Sequence, residues 1–411
     1  MHERNARFAV AIAVIAGLAI PVADADVVTD WNAFACQVVY DAKLGPPMAN
    51  RALAMTQTAV FEAVNRITGR YPAGKSGEGT VGNASVDAAV AAANRAVLSA
   101  AAPAQRAAIE AAYEKAVAAV ANGDARKAGI AVGERAAAAV MEARHDDGAM
   151  TAESYRPPTR PGVYIPTAIP AIPQWAGRKP WMLESPSQFR PGPPPKLNSA
   201  LWARDYNESK ALGAAKSTAR TPAQTEIAKF WEANMPSIYY VILRSVATQA
   251  GRDVTRNARL YEAVAQGMDD AIIAVFDAKY HYLFWRPITA IRNGDEDGND
   301  ATQRDASWMP FIETPMHPEY PCAHCILAAT VGTILKADVG LDPMPELSGT
   351  SYTAEGVTRR WKSVEDFMQE VDEARIYDGV HYRNSTEVGT AMGRRVGELA
   401  VKKHFAAAAN P

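Results

Sequence analysis

Residues 315–325 read P-M-H-P-E-Y-P-C-A-H-C and lead straight into an apolar run, Ile326–Leu335. Two histidines, two of the three cysteines and three prolines fall in this stretch. A proline-rich loop that delivers a histidine to the start of a helix is a place where an anion can be held. The first N–H groups of a helix are unpaired and carry partial positive charge. The same pattern also describes a tight loop capping a core helix, and only the flanking segments separate the two readings.

Upstream, Leu260, Val264, Met268, Ile272 and Val275 recur at helical spacing from Thr255 onward. Lys279 falls four residues further along the same stripe. Thr221-Pro222 reads as an N-cap followed by proline at the first helical position, opening a helix over 223–232. Further helices are expected over 201–212, 237–250, 285–293, 364–377 and 386–405. On the N-terminal side the pattern predicts a helix over 52–67, after a mixed segment, 26–49. Alanine-rich helices follow over 86–98, 104–121 and 124–144, because alanine is the best helix former. Pro103 and Asn122-Gly123 are their breaks. No block alternates with the period of a strand, so the expected fold class is all-α, a helical bundle. The stretch 148–198 differs: it is proline-rich and carries Trp175, Trp181 and Phe189. A loop this long is functional or a linker, and its aromatics favour a loop that wraps a surface. The acidic turn 294–300 lacks the spacing of an EF-hand and reads as a solvated turn.

Composition bounds the function. Of 411 residues, 48% are hydrophobic, enough for a sizeable core, and the net charge of -2 with no basic block argues against nucleic acid. Arg4 and Arg7 precede an apolar run, Phe8–Val22, and then Ala23-Asp24-Ala25. This order reads as a secretory signal peptide over 1–25, since the apolar run falls short of the roughly 20 residues of a membrane span. A single domain over 26–411, periplasmic or secreted and without a membrane span, is the expectation. Cys322 and Cys325 form a C-x-x-C pair, while Cys36 stands alone. The pair lacks both the context of a thioredoxin motif and the second pair of a zinc site. A disulfide between them fits an exported protein, but buried inert thiols are the expectation.

Two further segments bear on the loop. Lys279 and Arg286 have six residues between them, and Arg286 precedes a proline. They are either snorkelling surface charges or cations that need an anion. The segment Ala374–Ser385 reads A-R-I-Y-D-G-V-H-Y-R-N-S, with five residues between Arg375 and His381 and with Gly379 permitting a bend. Lys279, Arg286, Arg375, His324 and His381 together describe a pocket for a tetrahedral oxyanion. One imidazole can attack or ligate the central atom and the other can donate a proton to the departing oxygen.

The order K-x6-R-P, P-x-x-H, R-x5-H resembles the three-part signature of the type 2 phosphatidic acid phosphatase and vanadium-dependent haloperoxidase superfamily. N-R-A-L-A-M at 50–55, Q-F-R-P at 188–191, R-T-P-A-Q at 220–224 and F-W-R-P-I-T-A-I-R at 284–292 are similar to its exported bacterial haloperoxidase-like branch. The resemblance implies a helical bundle of the haloperoxidase and acid phosphatase type. It implies vanadate as cofactor, with phosphate able to occupy the same site. Lys279, Arg286, Cys322, Ala323, Arg375 and His381 would bind it. His381 would be the axial vanadium ligand, or the phosphohistidine of a phosphatase, and His324 the general acid–base. His317 and Trp285 would modulate the substrate. Hydrogen peroxide and a halide, foremost bromide, are the implied substrates. The alternatives are an exported acid phosphatase acting on phosphate esters and an inactive oxyanion-binding relative. Some relatives are dimers, so a homodimer is compatible with the resemblance. The chain departs from the family at three places. The usual P-S-G-H is Pro321-Cys322-Ala323-His324, Ala374 stands where Ser is common, and Ser385 stands where many members have Asp. An Asp there would support a histidine with its charge, whereas Ser can do so only by a neutral hydrogen bond.

Overall fold

The computed structural model describes residues 25–72 and 80–405. The expected signal segment, up to Asp24, lies outside the described residues. The N-terminal helices are α1 (Val27–Asp41), α2 (Pro46–Thr68), α3 (Val86–Ala101), α4 (Arg106–Ala119) and α5 (Asp124–Ala143). After the long loop come α6 (Ala200–Leu212), α7 (Pro222–Trp231), α8 (Ser237–Ala247), α9 (Val254–Tyr282) and α10 (Pro287–Arg292). The chain ends with α11 (Ala323–Val339), a hairpin of β1 (Leu347–Ser351) and β2 (Ala354–Trp361), then α12 (Val364–Tyr377) and α13 (Arg383–His404). The protein is mostly helical, as its sequence predicts.

Local signals account for most boundaries. Thr221 caps α7 in a full capping box with Gln224. Three expectations are corrected. The segment 26–49 is not mixed: Asp26 caps α1 by accepting from Thr29 N at 2.9 Å, and α2 already starts at Pro46. The antiparallel hairpin pairs Leu347 with Trp361; β2 is mostly exposed and polar, so no hydrophobic alternation marks it. The acidic turn is not wholly solvated. Asp297 is buried and accepts from Trp202 Nε1 at 2.7 Å and from Thr302 Oγ1.

The molecule is built around α9. Every residue from 260 to 279 is buried, so the stripe read from the sequence understates the helix, which is covered on all sides. It packs against α2, α11 and α13. Its polar residues must therefore be paired, and the 148–198 loop pairs them. Arg178 of that loop, fully buried, donates to Asp269 at 2.8 Å and to Asp147 at 2.7 Å. Asp270 accepts the backbone N–H groups of Trp181, Met182 and Leu183. Arg190 grips Asp277 with two bonds of 2.7 Å. The loop continues over the C-terminal end of α9, where Tyr164 N donates to Leu283 O at 2.7 Å. The wrapping loop thus ties α9 to the segment that precedes α11.

Where α11 crosses α13 the helices approach closely. A Cβ at Gly389 would sit 2.7 Å from the carbonyl oxygen of Cys322, so α13 closes directly onto the start of α11.

Candidate oxyanion site

Lys279 lies in the last turn of α9 and is fully buried. Its Nζ donates to the carbonyls of Pro318 at 3.0 Å and Glu319 at 2.6 Å. Arg286 is the N-cap of α10, set in extended backbone by the following proline. Its Nε donates to His317 O at 3.0 Å and its Nη1 to Val380 O at 2.7 Å, and Nη1 lies 3.3 Å from His381 Nε2. Neither cation snorkels to the surface. Arg375, in the last turn of α12, donates through Nη1 to Trp231 O at 3.0 Å and to Asp378 Oδ2 at 2.7 Å. Gly379 then turns the chain at φ 73°, where any Cβ would overlap the backbone of Gly213. That turn delivers His381 beside Arg286.

His381 is buried, with Nδ1 2.6 Å from Glu319 Oε1. An arginine can only donate, so His381 Nε2 faces Arg286 as an acceptor and the ring proton sits on Nδ1. His324, in the first turn of α11, places Nε2 3.1 Å from Ala233 O. A carbonyl only accepts, so Nε2 carries the proton there. His317 packs on Phe276, ring centroids 5.2 Å apart. All three imidazoles are held well below their ordinary pKa. Burial is the main cause, followed by Arg286 for His381, Arg375 for His324 and Lys279 for His317. Burial, and then Arg286, likewise depress the Lys279 ammonium. Burial lowers Arg286 to about 10.

Two carboxylates of this cluster were not foreseen from the sequence. Glu319 is fully buried, and burial pushes it up to about 7 against the pull of Lys279 and Arg286. Asp378, beside Arg375, is also raised to about 7, chiefly by burial. A signal for Glu319 existed in the quoted stretch, where it is the acid between His317 and His324. Nothing in the spacing pointed to Asp378, which lies between Arg375 and His381.

The residues fit an oxyanion. Three cations lie close enough to depress the same two imidazoles, and Arg375 Nε is buried with no hydrogen-bond partner among the described residues. A tetrahedral anion would relieve both conditions. At its edge, Ala323 is the first residue of α11 and keeps a negative φ, so the lost glycine costs no strain here. Cys322 is the N-cap of that helix. It is joined to Cys325 in a disulfide, contrary to the expectation of two thiols. In that state it has no S–H to donate, and its sulfur accepts from Cys325 N at 3.3 Å. Trp285 stacks on Trp202 with centroids 5.8 Å apart, and its Nε1 has no partner among the described residues.

The outlying motifs serve structure. Arg51 donates to Asp147 at 2.8 Å, joining α2 to the Arg178 network. Arg220 donates to Tyr377 O at 3.1 Å and to the carbonyls of Leu212 and Ala214, behind the Arg375 turn.

Residues 259–409, which carry all three parts of the cluster, match the family model of the VCPO second helical-bundle domain. This C-terminal part of the chain is similar to that helical-bundle domain of the vanadium haloperoxidases. Solved structures of bacterial vanadium-dependent haloperoxidases share the fold of the chain. A bacterial vanadium-dependent iodoperoxidase superposes with a TM-score of 0.75 at 23% identity, covering 92% of this chain and 95% of that one. A bacterial vanadium-dependent chloroperoxidase in its apo form gives 0.69 at 18% identity, covering 88% and 95%. Its holo form gives 0.68 at 18%, covering 89% and 94%. No curated protein matches the chain. Set against the three-part signature that the sequence resembles, the chain keeps the cations and histidines, and it departs in the Cys322–Cys325 disulfide and in Ser385.

Proposed function

We propose that the chain is a vanadate-dependent haloperoxidase that oxidises a halide, foremost bromide, with hydrogen peroxide. The observation that carries this reading is the gathering of buried Lys279, Arg286 and Arg375 around His381, whose acceptor Nε2 lies 3.3 Å from Arg286 Nη1. Bound vanadate supplies a Lewis-acidic centre at which hydrogen peroxide becomes an oxygen donor to halide. Lys279, Arg286 and Arg375 hold the oxyanion oxygens and offset their charge, each at little reorganisation cost because packing already fixes it. His381 offers its Nε2 lone pair as the ligand. His324 serves acid–base transfer through Nδ1, because its Nε2 proton is engaged by Ala233 O. His317 and Trp285, at the edge of the cluster, adjust what reaches it. The Cys322–Cys325 disulfide fits a periplasmic or secreted address.

Apoprotein given vanadate, peroxide and bromide should halogenate a phenolic dye only when vanadate is present, and His381→Ala should lose that activity by at least ~100-fold. Hydrolysis of a chromogenic phosphate monoester, blocked by vanadate, with no halogenation would instead make the chain an acid phosphatase working through His381. Vanadate binding without either activity would make it an oxyanion-binding relative.

A further inference from the structure

We propose that Glu319 is the positioning residue of the site, holding His381 in the tautomer whose Nε2 lone pair faces the cations. This rests on the reading of the cluster as an oxyanion site. In the family that the sequence resembles, many members have Asp one helical turn after the histidine, where it would support that base. Here that place is Ser385, whose Oγ lies 3.5 Å from His381 Nδ1, at the limit of a hydrogen bond. Glu319 reaches the same nitrogen from the other side, at 2.6 Å. Its Oε1 also accepts Tyr382 N at 3.3 Å.

The main chain of Glu319 is fixed as firmly as its side chain. Its N–H donates to Phe284 O at 2.9 Å, and its carbonyl accepts Lys279 Nζ at 2.6 Å. One residue therefore aligns both a cation and the ligating histidine. The carboxylate at His381 Nδ1 is thus supplied by the loop before α11 and not by α13. Such a partner fixes ring orientation and raises ligand basicity.

The test compares wild type, Glu319→Ala and the relocation variant Glu319→Ala/Ser385→Asp. Apoprotein labelled with 15N-histidine reports the tautomer of each imidazole, with His381 assigned by its loss in His381→Asn. Equilibrium dialysis reports binding of orthovanadate and, separately, of inorganic phosphate. Wild type should show His381 with the proton on Nδ1. Glu319→Ala should lose that single tautomer and bind orthovanadate at least ~10-fold more weakly. The double variant should recover the tautomer and most of the affinity. Unchanged tautomer and affinity in Glu319→Ala, or no recovery of either in the double variant, would overturn the proposal. Should Glu319→Ala not fold, the double variant decides alone: a proton on Nδ1 with near-normal binding supports the proposal, and loss of either overturns it. Wild type with the expected tautomer but no affinity for either anion would sink the oxyanion reading while the positioning role of Glu319 stood.

Discussion

Cys322 shows how one side chain can hold two structural tasks at the edge of a site. It caps α11 through its sulfur, and it is bonded to Cys325 one turn into the same helix. A serine in its place would keep a hydroxyl proton for an oxyanion, and the disulfide has none. The pairing makes a counting prediction. Unfolded without reductant, the protein should alkylate once, at Cys36, which is free and buried when folded. After reduction all three cysteines should alkylate. Three modified thiols before reduction, read by mass spectrometry, would remove the disulfide and return a weak S–H donor to the site.

Between elements, the packing of α12 on α13 contains a carboxylate that works against stability at neutral pH. Asp372 accepts Thr390 Oγ1 at 2.8 Å, and burial raises it to about 7. A carboxyl raised above its unfolded value binds the extra proton in the native state. Its contribution is therefore full at low pH and lost as pH rises through about 7. Asp372→Asn keeps an acceptor for Thr390 and removes the ionisation. Its stability relative to wild type should climb between pH 4 and pH 8 by about 2 kcal/mol, the scale of a shifted buried carboxyl. Urea melts at the two pH values measure it, and a difference that is flat with pH would show that Asp372 is solvated.

At the scale of the molecule, stability rests on how the loop 148–198 neutralises α9. Arg178 is fully buried between Asp147 and Asp269, each at most 2% exposed. Asp147 also holds Arg51 of α2, so one arginine links the loop, α9 and the N-terminal helices. Removing one partner of such a network leaves buried charge uncompensated. Arg178→Met should cost about 3–5 kcal/mol, seen as a lower urea midpoint and a loss of cooperativity. A melt like that of wild type would mean that the loop is dispensable to the fold.

Helical periodicity, caps and alanine-rich stretches determined the fold class and most of the helices, because these depend on neighbours three and four residues apart. The spacing of Lys279, Arg286, His324, Arg375 and His381 likewise made the cluster legible as a set. Helix α1 was hidden because its buried face is partly polar, with Thr29 and Asn32 inside. The hairpin was hidden because its exposed strand carries no alternation. Tertiary structure alone decided which carboxylate serves which base. Glu319 and His381 are far apart in the chain, and they meet because the loop docks on Phe284 while Gly379 bends the other strand of chain toward it. Sequence spacing can put two groups on one helix face. It cannot say which of several acids a buried imidazole will meet across a packed core.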